Sequence, residues 1–231
     1  MTVAQDTAKR RGRPPGKHAS THSDARERLL RAGLGEFAGH GFEGASTRAI
    51  ASRANANIAL IGYHFSDKAG LYRAVLNSIS APMRVGFARL AEPELDLADA
   101  LRFCYGGFLA DLREPDDTVA QAIRLHFREC MDPSAVFRDW IDAAIHPMFS
   151  ALLEVLRQHL QLKRIDDDLR RLAFAIIALA NDYWMSGPFM ERFAPKLRQP
   201  KRWVETTIER LTLYGCALVE AERARRAKGG K

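Results

Sequence analysis

Residues 46–68 read STRAIASRANANIALIGYHFSDK, and they constrain the chain more than any other stretch. Ser46 offers a hydroxyl to a free backbone N–H, as helix N-caps do. Ile50, Ala51 and Ala54 follow at helical spacing and predict one buried face. Asn55 stops that helix, because asparagine tolerates the left-handed conformation that ends helices. Asn57 is placed to cap a second helix, with Leu60 or Ile61 and then Phe65 facing inward. Asn57, Ile58, Ala59, Tyr63 and His64 then share the outer face. Small residues near a helix N-terminus let it enter a major groove, where its first turn meets base edges. The pattern predicts a helix-turn-helix. Ser66 or Asp67 caps the next helix, and Lys68 at its start lies beside a DNA backbone in that arrangement.

The flanking residues support the same unit. Residues 22–40 predict a helix capped by Ser23 or Asp24, with Leu29, Leu30, Gly33, Leu34 and Phe37 along an apolar stripe. Gly41 ends it, and Phe42 turns into the small core. Leu71, Val75 and Leu76 continue an apolar stripe after Lys68.

The runs LLRAGLGEFAGHGFEGASTRAIASRA and YHFSDKAGLY, within residues 24–76, resemble the DNA-binding domain of the tetracycline-repressor (TetR) family. The resemblance covers about a quarter of the chain. It implies an all-α homodimer, with an N-terminal three-helix helix-turn-helix domain and a C-terminal helical domain for ligand sensing and dimerisation. It also implies that Thr47 and Arg48 meet DNA from the start of the first motif helix. Asn57, Ile58 and Ala59 face bases, and Tyr63, His64 and Lys68 hold phosphates. Three positions depart from the usual pattern. Asn55 replaces the common turn glycine, Ala56 replaces a larger aliphatic residue, and Gly62 stands where many relatives carry tyrosine. Glycine inside a short helix costs on the order of 1 kcal/mol against alanine.

Charge is concentrated at the two ends. The net charge of +7 comes from residues 1–22, with five Lys/Arg and one Asp, and residues 220–231, with five Lys/Arg and two Glu. The body between them is neutral. Residues 1–22 contain too little apolar material to fold and predict a disordered basic arm. Its Arg11-Gly12-Arg13-Pro14 resembles the core of an AT-hook. Glycine lets the backbone lie deep in a narrow minor groove, and Arg11 and Arg13 extend along its negative floor. A basic tail that adds only phosphate affinity is the alternative. Residues 222–231 read as a solvated, frayed helix end, with a second DNA contact as the alternative, and residues 226–231 as a disordered tail.

The domain plan is therefore 1–22 arm, 23–80 helix-turn-helix domain, 81–225 sensor and dimerisation domain, and 226–231 tail. The longest apolar run, residues 172–180, is half the length of a membrane span and predicts a buried helix. No signal-peptide core opens the chain. Cys104, Cys130 and Cys216 are widely separated and read as reduced thiols, which fits a cytoplasmic protein.

In the sensor domain, helices are expected at 82–91, 97–113, 116–131, 133–161, 166–185 and 200–225. Asp132 is expected to cap a helix that Pro133 begins. Pro147 predicts a kink or break near 143–146. The segment HFRECMDPSAVFRDWIDAAIHPMF is similar to the sensor domain of the CecR-like branch of the TetR family. Its Arg128-Glu129, Asp132-Pro133-Ser134 and Ile145-His146-Pro147 carry that similarity, and Ala135 departs from it at a proline position. The apolar residues of 166–185 and 200–225 are numerous enough for a partner as well as a core. They include Leu169, Leu172, Ala173, Ile176, Ile177 and Ala180, then Trp203, Ile208, Leu211, Leu213, Tyr214, Ala217 and Leu218. The family implies dimerisation there.

Phe103, Phe108, His126, Phe127, Cys130, His146, Phe149, Trp184 and Phe189 are candidates for the lining of an effector pocket, with plain core packing as the alternative. His126 and Cys130 are four apart on one helix face, yet no third and fourth ligand stand at metal spacing, so no metal is expected. Arg124, Arg128 and Glu129 read as a surface ion pair, with orientation of a polar group as the alternative. No nucleophile–base set, carboxylate pair or phosphate loop stands out, so neither an enzyme nor a cofactor is expected. The implied function is a ligand-responsive regulator, in its simplest form a repressor, that binds a palindromic operator in double-stranded DNA as a homodimer. An unidentified small-molecule effector releases it. The alternative is a dimeric helical interaction protein with a degenerate head, motivated by Asn55 and Gly62.

Overall fold

The computed structural model describes residues 18–92 and 95–229; the side chains of 18–23 and 229 are not described. Every element among the described residues is helical. The head is built from α1 (His18–Gly44), α2 (Thr47–Arg53), α3 (Ala59–Phe65) and α4 (Lys68–Ile79). Its core holds Leu29, Phe37, Ile50, Leu71 and Tyr72, all fully buried. At Gly41 the chain adopts φ 71°, a conformation that favours glycine, and one further turn carries it to Gly44. That break turns Phe42 inward, 5.2 Å from the Tyr72 ring. The expected caps form: Ser46 accepts from Ala49 N–H at 3.3 Å, Asn57 from Ala59 N–H at 2.9 Å, and Asp67 from Gly70 N–H at 2.6 Å. Asn55 takes φ 46° and does the work of a turn glycine. Gly70 is required by space, since a Cβ there would stand 1.8 Å from the Phe65 carbonyl oxygen.

The body contains α5 (Ala81–Ala88), α6 (Leu97–Phe108), α7 (Asp117–Met131), α8 (Ala135–Trp140), α9 (His146–His159), α10 (Asp167–Met185), α11 (Gly187–Phe193) and α12 (Trp203–Gly229). Helix α6 is central, and Leu101, Tyr105, Leu152, Leu156 and Leu169 fill the space around it. It crosses α5 closely because Gly86 and Gly107 carry no side chain. A Cβ on Gly86 would lie 2.3 Å from the Phe103 carbonyl, and one on Gly107 would lie 2.9 Å from the Met83 Cα.

Several expected boundaries move. The helix expected over 97–113 ends at Phe108, followed by a 3-10 turn at Ala110–Leu112. Ser134, not Asp132, caps α8, accepting from Phe137 N–H at 3.2 Å; Pro133 stays outside the helix. Between α8 and α9 the chain widens into a π turn at Ile141–Ile145. Pro147 has no N–H to donate four residues back to Ala143, so the ladder opens where expected. Helix α11 was hidden by the Ser-Gly-Pro punctuation. Helix α12 begins later and runs through 226–229, so those residues belong to the helix end rather than to a disordered tail. Likewise, residues 18–22 of the expected arm already belong to α1. No helix is long and apolar enough to cross a membrane among the described residues.

Head and body meet through α7 and α8. Arg128 donates to the Gly39 carbonyl at 3.0 Å, and its stem fills the space beside Gly41. Glu129 is 2% exposed. Its carboxylate accepts from the Tyr72 hydroxyl, from Ser134 N–H at 2.8 Å and from the Ser134 hydroxyl at 3.1 Å. Trp140 Nε1 donates to Asn77 Oδ1 at 3.0 Å. The surface ion pair expected for Arg128 and Glu129 is therefore replaced by two separate ties to the head. Their side chains point at different partners, one exposed and one buried. Burial, and next the Glu129 carboxylate, push the Tyr72 pKa far above the usual tyrosine range, so its hydroxyl remains a donor. Replacing Tyr72 by Phe leaves a buried carboxylate short of one partner. Urea unfolding of Tyr72→Phe is expected to show a loss of about 1–3 kcal/mol.

Candidate DNA-reading head and effector cavity

Helix α3 is amphipathic by position. Ile61 and Phe65 point into the head, whereas Asn57, Ile58, Ala59, Gly62 and Tyr63 are exposed. Tyr63 is 74% exposed and packs edge-on to the His64 ring at 4.9 Å. His64 itself is half-buried. Gly62 has open space where a side chain would stand, so nothing in the fold demands glycine there. Arg48 is exposed at the start of α2, and Thr47 beside it is half-buried. Lys68 is tied back: its Nζ donates to the Glu43 carbonyl at 3.0 Å and sits 4.9 Å from the centre of the Phe42 ring. The motif is held in place from behind. Buried Glu36 accepts from Ser46 N–H at 3.2 Å and pairs with Arg53 at 3.2 Å, while Arg28 donates to the Ala54 carbonyl at 2.9 Å. Arg11 and Arg13 lie outside the described residues.

A cavity of about 610 Å³ lies between the end of α4, α5, α6, α7, α8, the π turn, α9 and α10. Six of the nine expected residues line it: Phe108, His126, Cys130, His146, Phe149 and Trp184. Phe103, Phe127 and the exposed Phe189 do not. Phe103 lies under the Arg89 guanidinium at 4.2 Å. Phe127 is 47% exposed, one residue round α7 from His126 and so off its face. The His126 ring meets Trp184 edge-on at 5.5 Å, and its Nε2 lies 3.4 Å from the Cys130 sulfur. Burial pushes the His126 pKa down. Among the described residues no group of three or more His, Cys, Asp or Glu could hold a metal. The sequence pattern did not single out Phe87, Asp111, Phe137, Trp140 and Asp142, which also line the cavity. Phe137 and Trp140 are one helical turn apart, ahead of the Pro147 break, and that spacing was the available signal.

The broad apolar faces of α10 and α12 divide. Leu169, Leu172, Ala173, Ile176, Ala180, Trp203, Ile208 and Leu211 are buried within the chain, so they are core. Leu213 and Tyr214 remain 57% and 48% exposed, and Phe174 on α10 is 63% exposed.

Residues 98–217 match the family described as the C-terminal domain of the HTH-type transcriptional dual regulator CecR, and residues 29–75 match the tetR family of bacterial regulatory proteins. The chain belongs to the TetR family, with a CecR-type C-terminal domain. It is 32% identical over 144 residues to the HTH-type transcriptional dual regulator CecR of Shigella flexneri. That match takes in 57% of this chain and 63% of the length of the relative. Solved structures share the fold. HlyIIR, a hemolysin II transcriptional regulator, aligns at 21% identity and a TM-score of 0.53 over 83% of this chain and 98% of its own. A TetR-like regulator from Rhodococcus sp. RHA1 aligns at 17% identity and a TM-score of 0.55, over 84% and 96%. The tetR-family match at residues 29–75 falls on α1 to α4, the elements that carry the helix-turn-helix.

Arg48→Ala is expected to weaken binding to duplex DNA and to lower the slope of log affinity against log salt by about 1, as loss of one phosphate contact does. A salt titration of both proteins checks this. Folding stability is expected to fall as pH drops below about 6.5, the ordinary histidine pKa. The unfolded chain protonates His126 there, while the fold holds it neutral. Unfolding curves at several pH values, flattened in His126→Gln, check the sign.

Proposed function

We propose that this TetR-family regulator acts in the cytoplasm as a homodimeric repressor of a palindromic operator and is released when a small molecule fills the body cavity. The observation that carries this reading is the double role of α7. One face of that helix lines the cavity with His126 and Cys130, and the adjoining Arg128 and Glu129 hold Gly39 and Tyr72 of the head. A ligand that reshapes the wall at α7 therefore acts on the anchor of the head.

In this reading Asn57, Ile58 and Ala59 meet base edges, and Thr47, Arg48, Tyr63 and His64 contact the backbone. Lys68, tied to Glu43, joins them by exchanging that carbonyl for a phosphate. The arm with Arg11 and Arg13 runs into an adjacent minor groove. Dimerisation uses what α10 and α12 leave exposed, Phe174, Leu213 and Tyr214, rather than their whole apolar faces. Two recognition helices must stand about 34–36 Å apart to enter successive major grooves, which a monomer cannot arrange. To move the population from 1:99 to 99:1, the effector must prefer the released form by roughly 10⁴-fold.

Selection of bound sequences from random DNA, with the full-length protein and with one lacking residues 1–17, tests the reading. An inverted repeat with half-sites a helical turn or more apart is expected. A·T enrichment beside the half-sites that vanishes in the truncated protein supports a minor-groove arm. Equal losses on selected and random DNA support a purely electrostatic one. No enriched sequence from either protein overturns the operator-binding reading.

A further inference from the structure

The charges around the cavity define the chemistry it accepts. Among its lining residues are two carboxylates, Asp111 and Asp142, and no lysine or arginine. Asp111 is half-buried on the 3-10 turn after α6, and Asp142 is exposed on the π turn. Among the described residues, neither joins an ion pair. A carboxylate removed from water without a partner is costly, and an incoming positive charge relieves that cost. An incoming anion makes it worse. Most of the remaining wall is apolar, with Phe108, Trp140, Phe149 and Trp184 presenting aromatic rings. Aromatic faces attract cations and stack on flat ligands. A volume of about 610 Å³ suits a drug-sized compound.

We infer that the effector is a flat aromatic compound carrying a positive charge, with its rings among the aromatic side chains and its charge at Asp111. This rests on the reading of the cavity as the effector site. Asp111 also borders a neighbouring groove that Arg26 and Arg31 line, but neither forms an ion pair with it among the described residues. Burial, then Asp116, push its pKa up.

Two dyes that share one ring system separate the possibilities: rhodamine 6G, a cation, and fluorescein, an anion at pH 7.5. Fluorescence polarisation with the full-length protein is expected to show rhodamine 6G binding at least tenfold tighter than fluorescein. Asp111→Asn is expected to lower rhodamine 6G affinity about tenfold and leave fluorescein unchanged or improved. Ile177→Trp, which fills the cavity from α10, is expected to abolish rhodamine 6G binding. Fluorescein binding as tightly as rhodamine 6G, or an Asp111→Asn protein that binds rhodamine 6G unchanged, overturns the charge assignment. Rhodamine 6G binding that survives Ile177→Trp, or binding of neither dye, overturns the cavity as the effector site.

Discussion

The buried carboxylate of Glu129 is the constraint on which the rest depends. It comes from α7 of the body and receives hydrogen bonds from Tyr72 in the head and Ser134 at the start of α8. A charge this deeply buried is tolerated only while its partners stay in place. It therefore fixes three elements at once: the last turn of α7, the cap of α8, and the middle of α4. Arg128 and Trp140 reinforce the same junction from either side. The head of this TetR-family protein is thus held through α7 and α8, which also wall the cavity.

That junction was only partly legible in the sequence. Arg128 and Glu129 stand together as a charged pair, and a charged pair on a helix is ordinarily solvated. Nothing in the local pattern shows that Tyr72, fifty-seven residues away, supplies a partner. Long-range satisfaction of a buried group is invisible to periodicity. The head was far more readable, because its information is local. Caps at Ser46, Asn57 and Asp67 and a stop at Asn55 lie within a few residues of what they control. Two of the three departures from the family pattern are mild for the same reason. Asn55 adopts the required backbone, and the position of Gly62 is open to solvent.

In the body, proline punctuation located the π turn but not its consequence. An opened helical ladder beside Phe137 and Trp140 leaves room that close packing would otherwise remove. The pocket residues that were legible are aromatic or amphipathic and fall on helix faces directed toward the centre. Phe103 and Phe127 share that chemistry but stand on other faces, which composition cannot distinguish. Asp111 was missed because a lone aspartate after a helix normally reads as surface. The apolar faces of α10 and α12 divide between core and surface: a central α6 covers most of them, while Phe174, Leu213 and Tyr214 stay exposed.

The central claim is that the cavity and the head are coupled through α7. A double-mutant cycle on operator affinity tests it, with Ile177→Trp filling the cavity and Tyr72→Phe loosening the junction. The account predicts that the filled cavity weakens operator binding. It also predicts that this effect shrinks when Tyr72 is replaced, with a coupling energy on the order of 1 kcal/mol. Strict additivity of the two substitutions, or a filled cavity that leaves operator affinity unchanged, would contradict it.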